Sequence, residues 1–283
     1  MKQLVPLFVQ ISLLLIVMSI GLRARWSDIT YVLKQPRHLV RAFVAVNVVV
    51  PLVAWTLCRM LPVDHQTAVG LVIMAASPLA PFAPGKMLKA GADRPYVDGV
   101  YLVMLIAAVF IVPATVAILS AISVHGHATI SVGAVALFVA KSVLVPMVVA
   151  LTISQLWPEF AKKAEPIARI VGYLLLLPIA LLVILKSGVG LMSLIGDGTL
   201  VVITATCLAG IIAGHLLGGR QQVHRIALAQ AAATRHPGIA ALIAHQNTSD
   251  PKVTLAIMLF LLVSIVITMI YARWIQHRVP AEA

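Results

Sequence analysis

Apolar runs of about 20 residues recur along the chain, separated by short segments rich in Lys, Arg, Pro and Gly. That length suits a hydrocarbon core of about 30 Å, because a helix rises about 1.5 Å per residue. The pattern predicts nine spans, at about 4–22, 39–60, 66–83, 97–122, 129–155, 168–190, 199–218, 225–246 and 253–275. All read as helices, since an unpaired backbone cannot face lipid. Two are interrupted. The third carries Ser77-Pro78-Leu79-Ala80-Pro81-Phe82-Ala83-Pro84-Gly85, in which each proline removes a donor and crowds the preceding turn. The eighth is broken by Pro237-Gly238, directly after Thr234-Arg235-His236. The seventh carries Gly210, Gly214 and Gly218, a small-residue stripe for close helix packing.

Composition sharpens the class. Hydrophobic residues make up 61% of the 283 and charged residues 11%, against about 25% charged in soluble domains. The chain therefore reads as an all-α polytopic membrane protein, a single membrane domain over residues 1–283. A net charge of +12 could point to nucleic acid, but the basic residues cluster in short loops between spans. Of the 21 Lys and Arg, fifteen fall on one side and four on the other, with Lys141 and Arg235 inside spans. Positive residues stay inside, so the expectation is a cell (inner) membrane protein with its N-terminus outside and its C-terminus cytoplasmic. The first apolar run reaches Arg23 with no small-residue cleavage site and reads as a retained span. Cys58 and Cys207 lie inside spans, which argues against a disulfide framework or a metal site. No cofactor motif is visible.

Two interrupted spans in corresponding positions of two halves point to a transporter binding site. Residues 1–122 form a first half-repeat of four spans. Residues 129–283 form a second of five, in which the fifth span of the chain is the extra one. Non-helical backbone at membrane depth survives where protein buries it or a watery cavity bathes it. Half-helices resuming near Pro84 and Pro237 present free N–H groups that suit anions. Arg235 at this depth costs about 2.5–3.5 kcal/mol on insertion scales, which marks it as functional. The candidate substrate-binding residues are Thr234, Arg235, His236, Pro81, Phe82, Ala83, Pro84 and Tyr101. The competing reading is that the prolines only kink two packed helices. Outside the breaks, His215 reads as a packed, hydrogen-bonded histidine, Lys141 as a brace or snorkelling residue, and Asp98 as an N-terminal-turn acid.

Several stretches resemble the bile acid:sodium symporter family. They are Met18-Ser19-Ile20-Gly21-Leu22, Val32-Leu33-Lys34-Gln35-Pro36, Val50-Pro51-Leu52-Val53-Ala54, Ala75–Gly91 and Val139–Pro146. The resemblance implies an inverted-repeat transporter fold whose two broken helices cross at the binding site. Spans one, five and six would form a panel domain and the others a core domain. It also implies a secondary transporter of organic anions such as bile acids, sulfated steroids and small carboxylates, usually driven by sodium.

The resemblance also exposes a departure. Sodium-coupled members carry a Glu, and a Gln four residues later, on the second broken helix, where Ala231 and Arg235 stand here. Their Ser-Asn pair falls near Phe82 and Ala83, or Ala83 and Pro84, and their next Ser and Thr near Val97 and Tyr101 or Leu102. The nine acids lie in loops, at termini or at the very start of a span. Sodium wants oxygen ligands, and two unit positive charges 5 Å apart repel by about 3 kcal/mol at an effective dielectric of 20. Arg235 is thus expected to replace the coupling cation. It would donate to carbonyls near Ala231 and Ala233 and leave a positive site for an anion, unless it only braces the break. The expected function is organic-anion transport by alternating access, without sodium at the usual sites. The alternative is a non-transporting sensor or scaffold with the same fold. Expected partners are a small organic anion and the lipid bilayer, with no nucleic acid and no enzymatic activity, and the oligomeric state stays open.

Overall fold

A computed structural model describes residues 4–89, 91–121, 132–248 and 250–278. These form helices joined by short turns, with no strand among the described residues. In chain order they are α1 (Leu4–Arg23), α2 (Trp26–Leu33), α3 (Pro36–Phe43), α4 (Val50–Met60), α5 (His65–Ala76), α6 (Ala83–Lys89) and α7 (Arg94–Ala121). There follow α8 (Val132–Val139), α9 (Val145–Leu156), α10 (Pro158–Ser193), α11 (Thr199–Leu217), α12 (Gln222–Ala232), α13 (Pro237–Asn247) and α14 (Pro251–Arg278). Two π-helical segments, Val44–Val49 and Ala140–Leu144, join α3 to α4 and α8 to α9.

Five stretches are long and apolar enough to cross a bilayer: Pro36–Met60, Arg94–Thr115, Gly133–Leu156, Thr199–Leu217 and Pro251–Ile275. A sixth is added if α1 and α2, bent by 79°, count as one. The remaining predicted spans fall on α10 and on the helix pairs α5/α6 and α12/α13. The fold is therefore all-α and polytopic, while the count of nine stays an expectation. The predicted boundaries at 122 and 129 lie outside the described residues. Large apolar side chains such as Leu14, Phe110, Leu174, Ile212 and Ile270 are exposed, as lipid-facing positions must be.

The packing follows the small residues. A Cβ placed on Gly214 of α11 would lie 2.3 Å from the Cα and N of Ala229 on α12, so only a glycine admits this approach. Gly210 and Gly218 face Ala232 and Arg225 on the same helix, so the stripe packs as expected. Helix α1 packs against α9 and α10, the spans that the resemblance assigns to the panel, while α5 packs against α14 and α11 against α12 and α4.

Two sequence readings are corrected. The segment after Arg23 is not simply a loop: α2 is a separate helix whose Asp28 side chain accepts from the Arg25 amide at 2.8 Å. It lies on α7, where a Cβ at Gly99 would come within 2.3 Å of the Asp28 carbonyl oxygen. Asp98 is not an acid of the first turn. It lies a turn inside α7, fully buried, and accepts from Arg23 at 2.5 Å. His215 is hydrogen-bonded to the Tyr271 hydroxyl, in keeping with its structural reading. Lys141 is exposed on the second π segment.

Candidate functional site

The first break begins where α5 runs into its prolines. Continued as an α-helix, the Met74 carbonyl would take the N–H of residue 78, a proline that has none. Ser77 supplies both replacements, donating from its backbone at 3.2 Å and its hydroxyl at 2.7 Å to the Met74 oxygen. Helix α6 resumes at Ala83, with Pro84 in its first turn, where a missing donor is harmless. The second break follows Ala232. The Thr234 amide donates to the Ala231 carbonyl at 3.0 Å, and its hydroxyl to the Gln230 carbonyl at 2.7 Å. Pro237 then opens α13, and His236 caps it: its Nδ1 accepts from the Ile239 amide at 3.3 Å. That bond fixes Nδ1 as the unprotonated nitrogen, and the buried Nε2 has no protein partner.

The two breaks cross. Leu79 and Arg235 form an isolated antiparallel bridge, and the His236 amide donates to the Pro78 carbonyl at 3.0 Å. The same amide lies 3.2 Å from the Ser77 hydroxyl oxygen.

Arg235 sits at the crossing with 1% of its surface exposed. One terminal nitrogen donates to the Ser77 carbonyl at 3.2 Å, the other to the Val46 carbonyl. The expected partners near Ala231 and Ala233 are not used, and the Ala231 carbonyl is served by the Thr234 amide instead. The actual partners share a chemical history. In an uninterrupted helix the Ser77 carbonyl would be served by residue 81, which is a proline. Val46 lies in the first π segment, where a carbonyl takes the N–H five residues on, and residue 51 is also a proline. The guanidinium thus satisfies two carbonyls that prolines leave without donors, on segments other than its own. Its Nε remains buried without a partner.

A second cation stands on the helix that follows the first break. Lys86 on α6 donates to the Thr268 hydroxyl of α14 at 2.8 Å, and its ammonium lies 5.2 Å from the centre of the Phe82 ring. The Gln230 side chain donates to the Thr268 carbonyl at 3.3 Å, leaving its own buried carbonyl oxygen unpaired. Buried Cys207 of α11 is within electrostatic reach of both Arg235 and Lys86. No ion pair among the described residues involves either cation. The centre is therefore positively charged and carries unused donors.

Of the predicted site residues, Thr234, Arg235, His236, Pro81, Phe82, Ala83 and Pro84 lie on the two crossing breaks or at the start of α6. Thr234 spends its hydroxyl on its own helix. Tyr101 is placed elsewhere, fully buried in α7 with Arg23 and Tyr173 as its charged and titratable neighbours. Sequence reasoning missed Lys86, which was counted among the loop cations, and Gln230, a lone amide in an apolar run. The four-residue spacing of Phe82 and Lys86, which stacks side chains on one helical face, was the available signal. No group of three or more His, Cys, Asp or Glu among the described residues could hold a metal ion.

Comparison with curated proteins finds no match. The model of the sodium bile acid symporter family matches residues 10–194, which take in α1 to α10 with the first break and Lys86 and stop before the second break. With more than half of its length matched, the chain belongs to the sodium bile acid symporter family.

Proposed function

We propose that the crossing binds an organic anion and that the protein carries it across the inner membrane by alternating access, without sodium at the family's usual sites. Family membership makes the chain a multi-pass membrane secondary transporter of the bile acid symporter kind, and at family level not an enzyme. The observation that carries the finer reading is Arg235. A buried guanidinium occupies the crossing, a second cation stands on α6, and neither has an ion-pair partner among the described residues. A sodium ion placed there would meet repulsion, whereas a carboxylate or sulfate would meet unused donors and positive charge. Aromatic Phe82 and the surrounding small residues fit an anion with an apolar body. The excess of Lys and Arg on one side of the spans supports an outside N-terminus and a cytoplasmic C-terminus.

The test is uptake into proteoliposomes of radiolabelled cholate, a steroid sulfate and small carboxylates, in sodium chloride and again in choline chloride. Equal rates in the two salts are expected for the transported anion, with loss of transport in Arg235→Glu. Uptake that collapses when choline replaces sodium would overturn the reading.

A further inference from the structure

Four ion pairs occur among the described residues. Three of them, Glu165–Arg169, His224–Asp93 and Lys252–Asp64, lie within α10 or among the helices around the crossing. The fourth, Arg23–Asp98 at 2.5 Å, ties the layer of α1, α9 and α10 to α7. Arg23 is the last residue of α1, at the bend into α2. Its partner is a fully buried carboxylate that uses only one oxygen. The other, Oδ2, has no partner, and neither does Nε of Arg23. Three residues along the same face of α7, the Tyr101 hydroxyl is also buried and unpaired. A buried carboxylate with one oxygen on a guanidinium and the other unpaired has a place ready for a proton.

The charged and titratable groups in electrostatic reach can be named. Asp98 faces Arg23 from α1, Asp28 from α2 and Arg94 from its own helix. Tyr101 faces Tyr173 of α10, which itself faces Arg169. The Asp28 carboxylate is already engaged by the Arg25 amide.

We propose that Asp98 is the proton-binding site that couples transport, and that its protonation releases Arg23 and with it the α1 layer from α7. The proposal rests on the transport reading above. In the charged state the pair holds α1 against α7. At the face open to water, Oδ2 takes a proton and the carboxylate becomes a neutral carboxylic acid. Arg23 then lacks an anionic partner, and α1 with its layer is free to shift. At the opposite face the proton returns to water and the pair reforms. One proton travels with each anion, so a monoanion crosses with no net charge. A gradient of one pH unit then supports about tenfold accumulation.

The proton is read on the purified full chain in nanodiscs by difference infrared spectroscopy, titrated from about pH 4 to pH 9. A carboxylic-acid carbonyl band that fades as pH rises is expected. It should be absent from Asp98→Asn and present in Asp93→Asn. No band that depends on Asp98 means no titration there, and the proposal falls. Coupling is read in proteoliposomes with the same anion panel. The steroid sulfate is decisive if carried, because it stays ionised and cannot follow the gradient passively. Asp98→Asn should lose gradient-driven accumulation yet keep counterflow. Accumulation that survives in Asp98→Asn overturns the proposal and leaves the transport reading intact. If the wild-type chain shows no counterflow with any anion of the panel, the transport reading falls and the coupling proposal with it. Should Asp98→Asn fail to fold, the double variant Arg23→Gln with Asp98→Asn removes both charges of the pair and gives the same readout.

Discussion

Replacing Arg235 with Met separates a binding group from a mere brace. The guanidinium makes two hydrogen bonds, to the Ser77 and Val46 carbonyls. Bonds to a charged donor contribute about 1.5–3 kcal/mol each, so their loss costs about 3–6 kcal/mol. The opposing contribution is of the same size. Arg235 is 1% exposed and has no ion-pair partner among the described residues, and burying an ion carries an effective penalty of about several kcal/mol. Methionine removes that penalty, and its flexible chain refills much of the volume. The net change should stay within about 2 kcal/mol, a midpoint shift of a few degrees at about 2–4 °C per kcal/mol. Thermal unfolding of the purified chain, followed by tryptophan fluorescence, measures it, and uptake is assayed on the same preparation. Near-wild-type stability with transport lost is the expected pair of results. A loss above about 4 kcal/mol, or full transport by the stable variant, would falsify this balance of terms. Arg235→Lys sharpens the comparison, because a single ammonium keeps the charge but lacks the planar fork that serves two carbonyls.

Two further outcomes are expected. Gly214→Val should destabilise by about 1–3 kcal/mol or more, because backbone rather than a flexible side chain stands 2.3 Å from the added carbon. Gly188→Ala, with open space around the position, should be neutral or slightly stabilising in the same thermal assay, and equal losses in both variants would refute the close-contact argument. Asp64 caps α5 through the Thr67 amide and contacts Lys252 at 3.1 Å. Burial pushes its carboxyl up, but the Thr67 amide and the Lys252 ammonium outweigh this and hold it below the usual carboxylate value. A depressed folded-state pKa gives stability that is complete above the unfolded value of about 3.9 and is lost as pH falls through the lower folded value. Asp64→Ala should therefore cost about 0.5–2 kcal/mol at neutral pH and flatten the acid side of the unfolding profile, and an unchanged acid slope would contradict the assignment.

What was legible in the sequence was whatever depends on neighbours along the chain. Apolar runs of bilayer length became helices, and Pro78-Leu79-Ala80-Pro81 and Pro237-Gly238 marked both interruptions, because lost donors are local facts. Gly210, Gly214 and Gly218 forecast a close helix contact, though not that α12 would fill it. What escaped depends on distant pairing. Arg235 reaches carbonyls 158 and 189 residues away, so the nearer Ala231 and Ala233 were the natural but wrong guess. Asp98 read as an acid of a helix's first turn until Arg23, 75 residues earlier, was placed against it. Lys86 was counted with the loop cations, and only the fold turns it inward to Thr268 of α14. Helix α2 is too short and too mixed in polarity to announce itself, and its support comes from Gly99 of α7.

The proline-orphaned carbonyls carry a mechanical consequence. Arg235, the bridge at Leu79 and the amide of His236 fasten three stretches that are far apart in the chain: the π segment before α4, the end of α5 and the start of α13. None of the three can translate along the bilayer normal without dragging the others or breaking charged hydrogen bonds inside a medium that offers no replacement. The crossing therefore has the freedom of a riveted joint and not of a hinge. Displacement has to be taken up at its borders, where Leu13 of α1 presses on Gly238 and the chain turns by 79° into α2.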